Sequence, residues 1–299
     1  MSQPLNMTNV ESVEGALLAG ARANLQASCR HGAMDVIAAP GELIATGDLH
    51  DNPVHYARLL ELASMREGGE PDGSEGSARH LTIHEIIHGD RLINGMDLSY
   101  RMLARVAALK AAYPEHLHVL LGNHELAQML KSGIMKDGVR NVEAFDAGVE
   151  YVFGSDTERI EAAINAFVRS MPLALKVQTP RGDILCAHSL PPAAAMGKFD
   201  ISVLARDLTD DDYTPRQGAA HLMVWGRGYD AEGLEDLVEA WGVYLFVLGH
   251  EKATEGSKFV PPNALVLNSD HEKGVYLPLD MAHPPRPDEA EKLVRPLAR

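Results

Sequence analysis

The sequence predicts an α/β layered fold, a single domain spanning residues 1–299, and three observations carry that expectation. Short β-branched runs alternate with Ala/Leu-rich segments of helical period, the order that builds a layered core. Apolar runs end again and again at a glycine followed by Asp, Asn or His. This happens after Thr46, His88, Leu121 and Leu248, and Cys186-Ala187-His188 is a near relative of the pattern. Composition, at 45% hydrophobic and 23% charged, is that of a globular chain long enough to bury a sizeable core.

Taken in order, residues 1–10 read as a loose end and 11–29 as a helix. The apolar runs on either side of Pro40-Gly41 read as a hairpin or paired strands leading to Gly47-Asp48. Residues 54–66 have helical spacing, and 66–79, rich in Gly, Ser and Glu, read as a flexible loop. A β-branched run over 81–90 ends at Gly89-Asp90. An amphipathic helix over 96–113 is stopped by Pro114, and the next strand is HLHVLLGNHE. Residues 155–170 form a helix capped by Ser155 or Asp156. A hairpin follows around Pro180–Asp183, then a helix near 232–241, a strand into Gly249-His250, and a pair of strands over 264–281. Residues 283–299 read as a loose tail.

Charge narrows the partners. With 42 acidic and 27 basic residues the chain carries a net −15, which argues against nucleic acid or an anionic membrane as partner. Tyr and Trp are too few and scattered for a base-stacking surface. Cys29 and Cys186 imply no disulfide framework and fit a reducing cytoplasm. No window approaches the length of an apolar membrane span.

The chemistry collects at strand ends, which in an α/β sheet converge on one crevice. Asp48, His50, Asp90, Asn123, His124, Glu125, His188 and His250 all stand there. Taken singly, each is an ordinary turn residue or core histidine. In this order, they supply carboxylate, imidazole and amide ligands suited to Mn, Fe or Zn. Asp48 and His50 reach one ion, Asp90 bridges with its two oxygens, and Asn123, His188 and His250 complete a second. Two metals roughly 3.5–4 Å apart clamp an in-line phosphoryl displacement and share an activated hydroxide.

The segments GDLHDN (47–52), GD (89–90), GNHE (122–125), AHS (187–189) and GH (249–250) resemble the signature of the calcineurin-like metallophosphoesterases. Glu125 in GNHE, with MPLALKVQTPRGDILCAHSLPP (171–192) and MVWGRGYD (223–230), is similar to the phosphoprotein (serine/threonine) phosphatase branch. The likeness covers roughly residues 41–281. It implies a two-sheet α/β/β/α sandwich with two metal ions at the carboxyl ends of the strands. It implies the metal-ligand roles just given, His124 at the leaving group or phosphate, and Glu125 supporting the start of its helix. It further implies hydrolysis of phosphomonoesters, phosphoserine and phosphothreonine in proteins first among them. A phosphodiesterase or dinucleoside polyphosphate hydrolase, or a non-catalytic scaffold on the same fold, are the alternatives.

The departures fall on phosphate handling. Ile93 and Asn94 stand where the family has an Asp-Arg pair, and Leu121 stands where it has an arginine. Arg227 and Arg91 are the candidates to grip phosphate in their place.

Overall fold

The computed structural model describes residues 5–69, 79–133, 135–136 and 138–298. The tip of the expected loop, 70–78, lies outside the described residues. In chain order the strands are β1 (Arg30–His31), β2 (Met34–Ala38), β3 (Glu42–Thr46), β4 (His80–His84), β5 (Leu92–Ile93), β6 (Met96–Asp97), β7 (Leu117–Leu120), β8 (Met135–Lys136), β9 (Val139–Arg140), β10 (Ala174–Gln178), β11 (Asp183–Ala187), β12 (Val243–Leu248), β13 (Ser257–Val260), β14 (Ala264–Leu267), β15 (Val275–Asp280) and β16 (Arg295–Pro296). The helices are α1 (Val10–Gln26), α2 (Pro53–Ala63), α3 (Tyr100–Ala112), α4 (Asn123–Met129), α5 (Asn141–Phe153), α6 (Thr157–Ser170), α7 (Ala219–Val224), α8 (Ala231–Trp241) and α9 (Pro287–Leu293).

Two sheets face each other. One has the order β16-β15-β3-β4-β7, the other β1-β2-β10-β11-β12-β14-β13, and β5–β6 and β8–β9 are separate hairpins. Strand alternation explains the sandwich. Leu43 and Ala45, Leu175 and Val177, Leu245 and Val247, and Leu277 and Leu279 meet in one apolar cluster between the sheets. Ile44, between Leu43 and Ala45, and Phe246, between Leu245 and Val247, join Leu81, Ile83, Leu117 and Val119 in a larger cluster with the helices. Each sheet is thus buried on both faces, and the α/β/β/α layering is as expected.

Three expectations need correction. The runs flanking Pro40-Gly41 are not partners: β2 pairs with β1 and β10, while β3 pairs with β4 and β15 in the other sheet. Apolar alternation reports burial and leaves the choice of partner open. The tail is not loose: α9 buries Ala290, and β16 pairs with β15. Strand β4 stops at His84, so the β-branched run through Ile86 and Ile87 is a turn. Helix α5 had no counterpart in the sequence reading.

What positions the site is the parallel set β3, β4 and β7, facing the parallel set β11, β12 and β14. All point their carboxyl ends to one edge of the sandwich. Isolated bridges tie Asp48 to His84 on one side and Asn268 on the other, so the turn after β3 is fixed at the sheet edge.

Candidate metal centre

Five strand ends deliver the cluster. β3 leads to Asp48 and His50, β4 to Glu85, β7 to Asn123 and His124 at the start of α4, β11 to His188, and β12 to His250. All of these are buried except His50, which is partly exposed.

Glu85 is the centre. Its Oε1 lies 3.0 Å from His50 Nε2 and 3.5 Å from His124 Nε2, and its Oε2 lies 2.8 Å from His188 Nε2. His188 Nε2 is also 2.8 Å from Asn123 Oδ1 and 3.1 Å from His250 Nδ1. On the opposite side Asp48 Oδ1 is 3.4 Å from both His188 Nδ1 and His84 Nδ1. Both Asp48 oxygens accept the His250 backbone N–H at 3.0 Å. Gly249 makes that approach possible, because a Cβ there would run into Asp48 Oδ1 and the His84 ring.

The backbone turns here through non-glycine residues. His50, Asp51, Glu85, His88 and His250 all hold positive φ, between 44° and 66°. Such conformations cost of order 1–3 kcal/mol each and gather where a site requires them. Gly47, Gly89, Gly122 and Gly249 have no positive φ; what they give is close approach.

The electrostatics suit a cation. Burial opposes ionisation of Glu85, yet the facing His188, His124 and His50 hold it well below the usual carboxylate range. Burial and the charge of Glu85 oppose ionisation of Asp48, and hydrogen bonds from His188 and His84 hold it low. Against the cost of burial, these two carboxylates push the His188 imidazole up to about 10. Burial and the neighbouring His188 push His250 down to about 3.

The donor set fits metal ions. Among the described residues His250 Nε2 is buried without a hydrogen-bond partner, and Glu85 Oε2 has no aligned donor despite the nearness of His188. Ligand atoms of His50, Glu85 and His124 lie within 4.8 Å of one another, and so do those of Glu85, His188 and His250. A third such group is Asp48, His84 and His188. Glu85 belongs to two of the groups, the arrangement that a shared ligand requires.

Of the residues singled out in the sequence, Asp48, His50, Asn123, His124, His188 and His250 come together. Asp90 does not. It is exposed on the turn beyond β4, and Glu85 holds the central position expected of it. Glu125 is a support: its buried Oε1 accepts the backbone N–H groups of Ile86 at 2.6 Å and Ile87 at 3.2 Å, fixing the turn that carries Glu85. Burial and the charge of Glu85 raise its carboxyl. Arg227 is exposed at the rim and donates to the His250 carbonyl at 3.0 Å. Arg91 is exposed and donates to the Asp51 carbonyl at 2.7 Å.

His84 and His88, four apart in a β-rich run, read in the sequence as one buried and one near the pocket; both are buried at the site, and Glu85 beside them is the residue that the sequence reading lacks. His88 Nδ1 lies 3.1 Å from His124 Nδ1, and burial, then the neighbouring His124, pushes the His88 imidazole down to about 3.

With this geometry in view, the family profile described as calcineurin-like phosphoesterase matches residues 42–253. No curated protein matches the sequence. Among solved structures the chain is similar to a protein serine/threonine phosphatase from Saccharomyces cerevisiae with similarity to human phosphatase PP5. The identity is 16% and the TM-score 0.65, over 91% of this chain and 83% of that one. It is also similar to the cold-active protein-tyrosine phosphatase of a psychrophilic Shewanella species, at 14% identity and TM-score 0.56, over 82% of this chain and 77% of that one. At these identities the likeness is one of fold. Among the described residues no helix is long and apolar enough to cross a membrane.

Proposed function

Because the chain belongs to the calcineurin-like phosphoesterases, we propose that the Glu85-centred cluster holds two metal ions and that the protein hydrolyses phosphomonoesters, with phosphoserine and phosphothreonine in proteins as leading substrates. One observation carries the proposal: Glu85 is shared by two ligand groups that lie on either side of it. His50 would hold one ion with Glu85, while Asp48, whose Oδ1 lies against His188 and His84, would approach the ion on the His188 side. Asn123, His188 and His250 would hold the other, again with Glu85. Nitrogen and oxygen donors without thiolate suit Mn, Fe or Zn. When bound, the ions supply Lewis-acid charge at the phosphoryl oxygens and an activated water.

The chain's own residues do the rest. His124 presents Nε2 to the cluster and donates from Nδ1 to His88, so the ring in its imidazolium form is aimed to hand its Nε2 proton to the leaving oxygen. Glu125 keeps the Glu85 turn rigid. Arg227 and Arg91 flank the opening and would grip phosphate oxygens. Both of these solved structures are protein phosphatases, which supports a phosphoprotein substrate.

The test is a purified protein assayed with added Mn against p-nitrophenyl phosphate, a phosphate bis-ester and a phosphoserine peptide, with bound metal measured in parallel. Turnover of the monoester and the peptide with about two metals per chain is the expected result. A protein that binds no metal and turns over none of the three overturns it. Turnover of the bis-ester alone points to a diesterase.

A further inference from the structure

A cleft of about 320 Å³ opens beside the metal cluster, between the β5–β6 hairpin, the first residue of α2 and one face of α3. Arg91, Arg101 and Arg105 line it, with Ile93, Leu98 and Met102 as apolar wall. Two covalent neighbours tie it to the site. Asp51, on its floor, follows His50 directly, and Leu98 precedes Ser99, whose hydroxyl accepts the His88 backbone N–H at 3.0 Å.

Three guanidinium groups around one cleft stand out in a chain of net charge −15. Two are braced internally. Arg91 donates to the Asp51 carbonyl, and Arg105 holds Glu67 through Nε at 2.6 Å while lying over the Tyr56 ring. Arg101 is not braced by a carboxylate: among the described residues it forms no ion pair, and its guanidinium rests over the Tyr100 ring. The half-exposed Ile93 gives the mouth an apolar lip. Guanidinium forks with apolar walls match an anionic group carried on a partly apolar stem.

We propose that this cleft binds a second anionic group of the substrate, a phosphate or a carboxylate, next to the phosphoryl group being cleaved. The assignment rests on the phosphomonoesterase reading, since the cleft is placed by the site it adjoins. Arg101 supplies the uncommitted charge, and Asp51, the residue after His50 in the chain, ties the cleft to the site.

The experiment measures kcat/KM of the Mn-loaded protein on four substrates: p-nitrophenyl phosphate, a phosphoserine peptide with neutral flanks, the same peptide with acidic flanks, and inorganic tripolyphosphate. The ratio of a second-anion substrate to its simpler counterpart is the readout. In the wild type the ratio is expected to exceed one by about tenfold and to shrink as salt is raised. Arg101→Gln is expected to cut the ratio about tenfold, and Arg101→Lys to keep most of it. A larger ratio for the acidic peptide identifies a carboxylate source, and a larger ratio for tripolyphosphate a phosphate source. Turnover with a ratio near one, or a ratio indifferent to Arg101→Gln, overturns the cleft assignment and leaves the phosphatase reading intact. Absence of turnover on all four substrates overturns that reading and the cleft assignment with it.

Discussion

His88 and His124 meet through their Nδ1 atoms at 3.1 Å, buried together beneath the candidate metal centre. The rest of the chain of contacts sets which ring donates. The Gln128 amide nitrogen donates to Asp146 at 2.6 Å, which turns Gln128 Oε1 toward His88 Nε2 at 3.1 Å. His88 therefore carries its proton on Nε2 and accepts from His124 at Nδ1. His124 is left with Nε2 facing Glu85. A neutral imidazole here does the orienting that a carboxylate does elsewhere.

Removing that acceptor is expected to lower kcat about tenfold or more with little change in KM, since a misaimed proton donor affects the transition state alone. His88→Ala tests this in steady-state assays with p-nitrophenyl phosphate. His88→Asn, which keeps an acceptor oxygen near the same place, is expected to recover part of the loss. Equal kcat in wild type and His88→Ala would show that the contact orients nothing.

Exchanging Glu85 and Asp90 as suspects gives a second test. Glu85→Gln is expected to lose bound metal and at least about a hundredfold in turnover, because one substitution removes a ligand from both groups. Asp90→Ala is expected to stay within a few-fold of wild type. Metal content by elemental analysis, read beside turnover, separates the two residues. The opposite pattern would restore Asp90 as the shared ligand.

Far from the site, Asp35 of β2 is fully buried between His118 Nδ1 at 2.8 Å and Arg30 Nε at 2.9 Å. Burial opposes its ionisation, but His118 and Arg30 hold its carboxyl well below the usual range. Cys29 stands close to Asp35 and His118, and the cations of Arg30 and Lys110 beside them suit an ion-pair network better than a metal ion. Asp35→Asn leaves two buried donors facing a neutral amide and is expected to cost about 3–5 kcal/mol of folding stability. Urea denaturation measures it, and a loss under 1 kcal/mol would contradict the ionic reading.

His80 sits 3.1 Å from His118, and burial, then the neighbouring His118 and His116, pushes its imidazole down to about 3. An unfolded chain protonates this ring near its ordinary value of 6.5. Below that pH the unfolded state binds the extra proton, so stability falls as pH falls and is constant above it. By pH 5 the loss from this one group is about 1–2 kcal/mol. Comparing the pH dependence of unfolding in wild type and His80→Gln isolates it, and the variant is expected to show the shallower slope between pH 7 and 5.

The ease with which these residues could be read from the sequence varied for physical reasons. Asp48, Asn123, His188 and His250 stood out because each follows a buried apolar strand, and a sheet's parallel strands bring such ends together. Glu85 was hidden inside its own motif. Ile86 and Ile87 extend the β-branched run past it, and Gly89-Asp90 imitates the strand ending seen elsewhere. What stops β4 at His84 is tertiary: its partner β7 ends opposite it, at Leu120, and Glu85 takes a left-handed turn whose carbonyl receives His50 N–H at 2.7 Å. None of those three facts is local to the segment. The same holds for β2 and β3, whose alternation shows that each is buried and leaves the partner strand unstated.

The C-terminal return has a consequence for how the molecule behaves among its own copies. β16 lies along β15 and places Arg295 and Pro296 on the outer margin of the five-stranded sheet. A proline lacks the N–H that a further strand would need, and a charged neighbour discourages docking, so this margin is closed to strand-by-strand growth. Without residues 287–298, β15 would lose the strand that pairs with Val275 and Tyr276, and the sheet would gain an open margin and a template for self-association there.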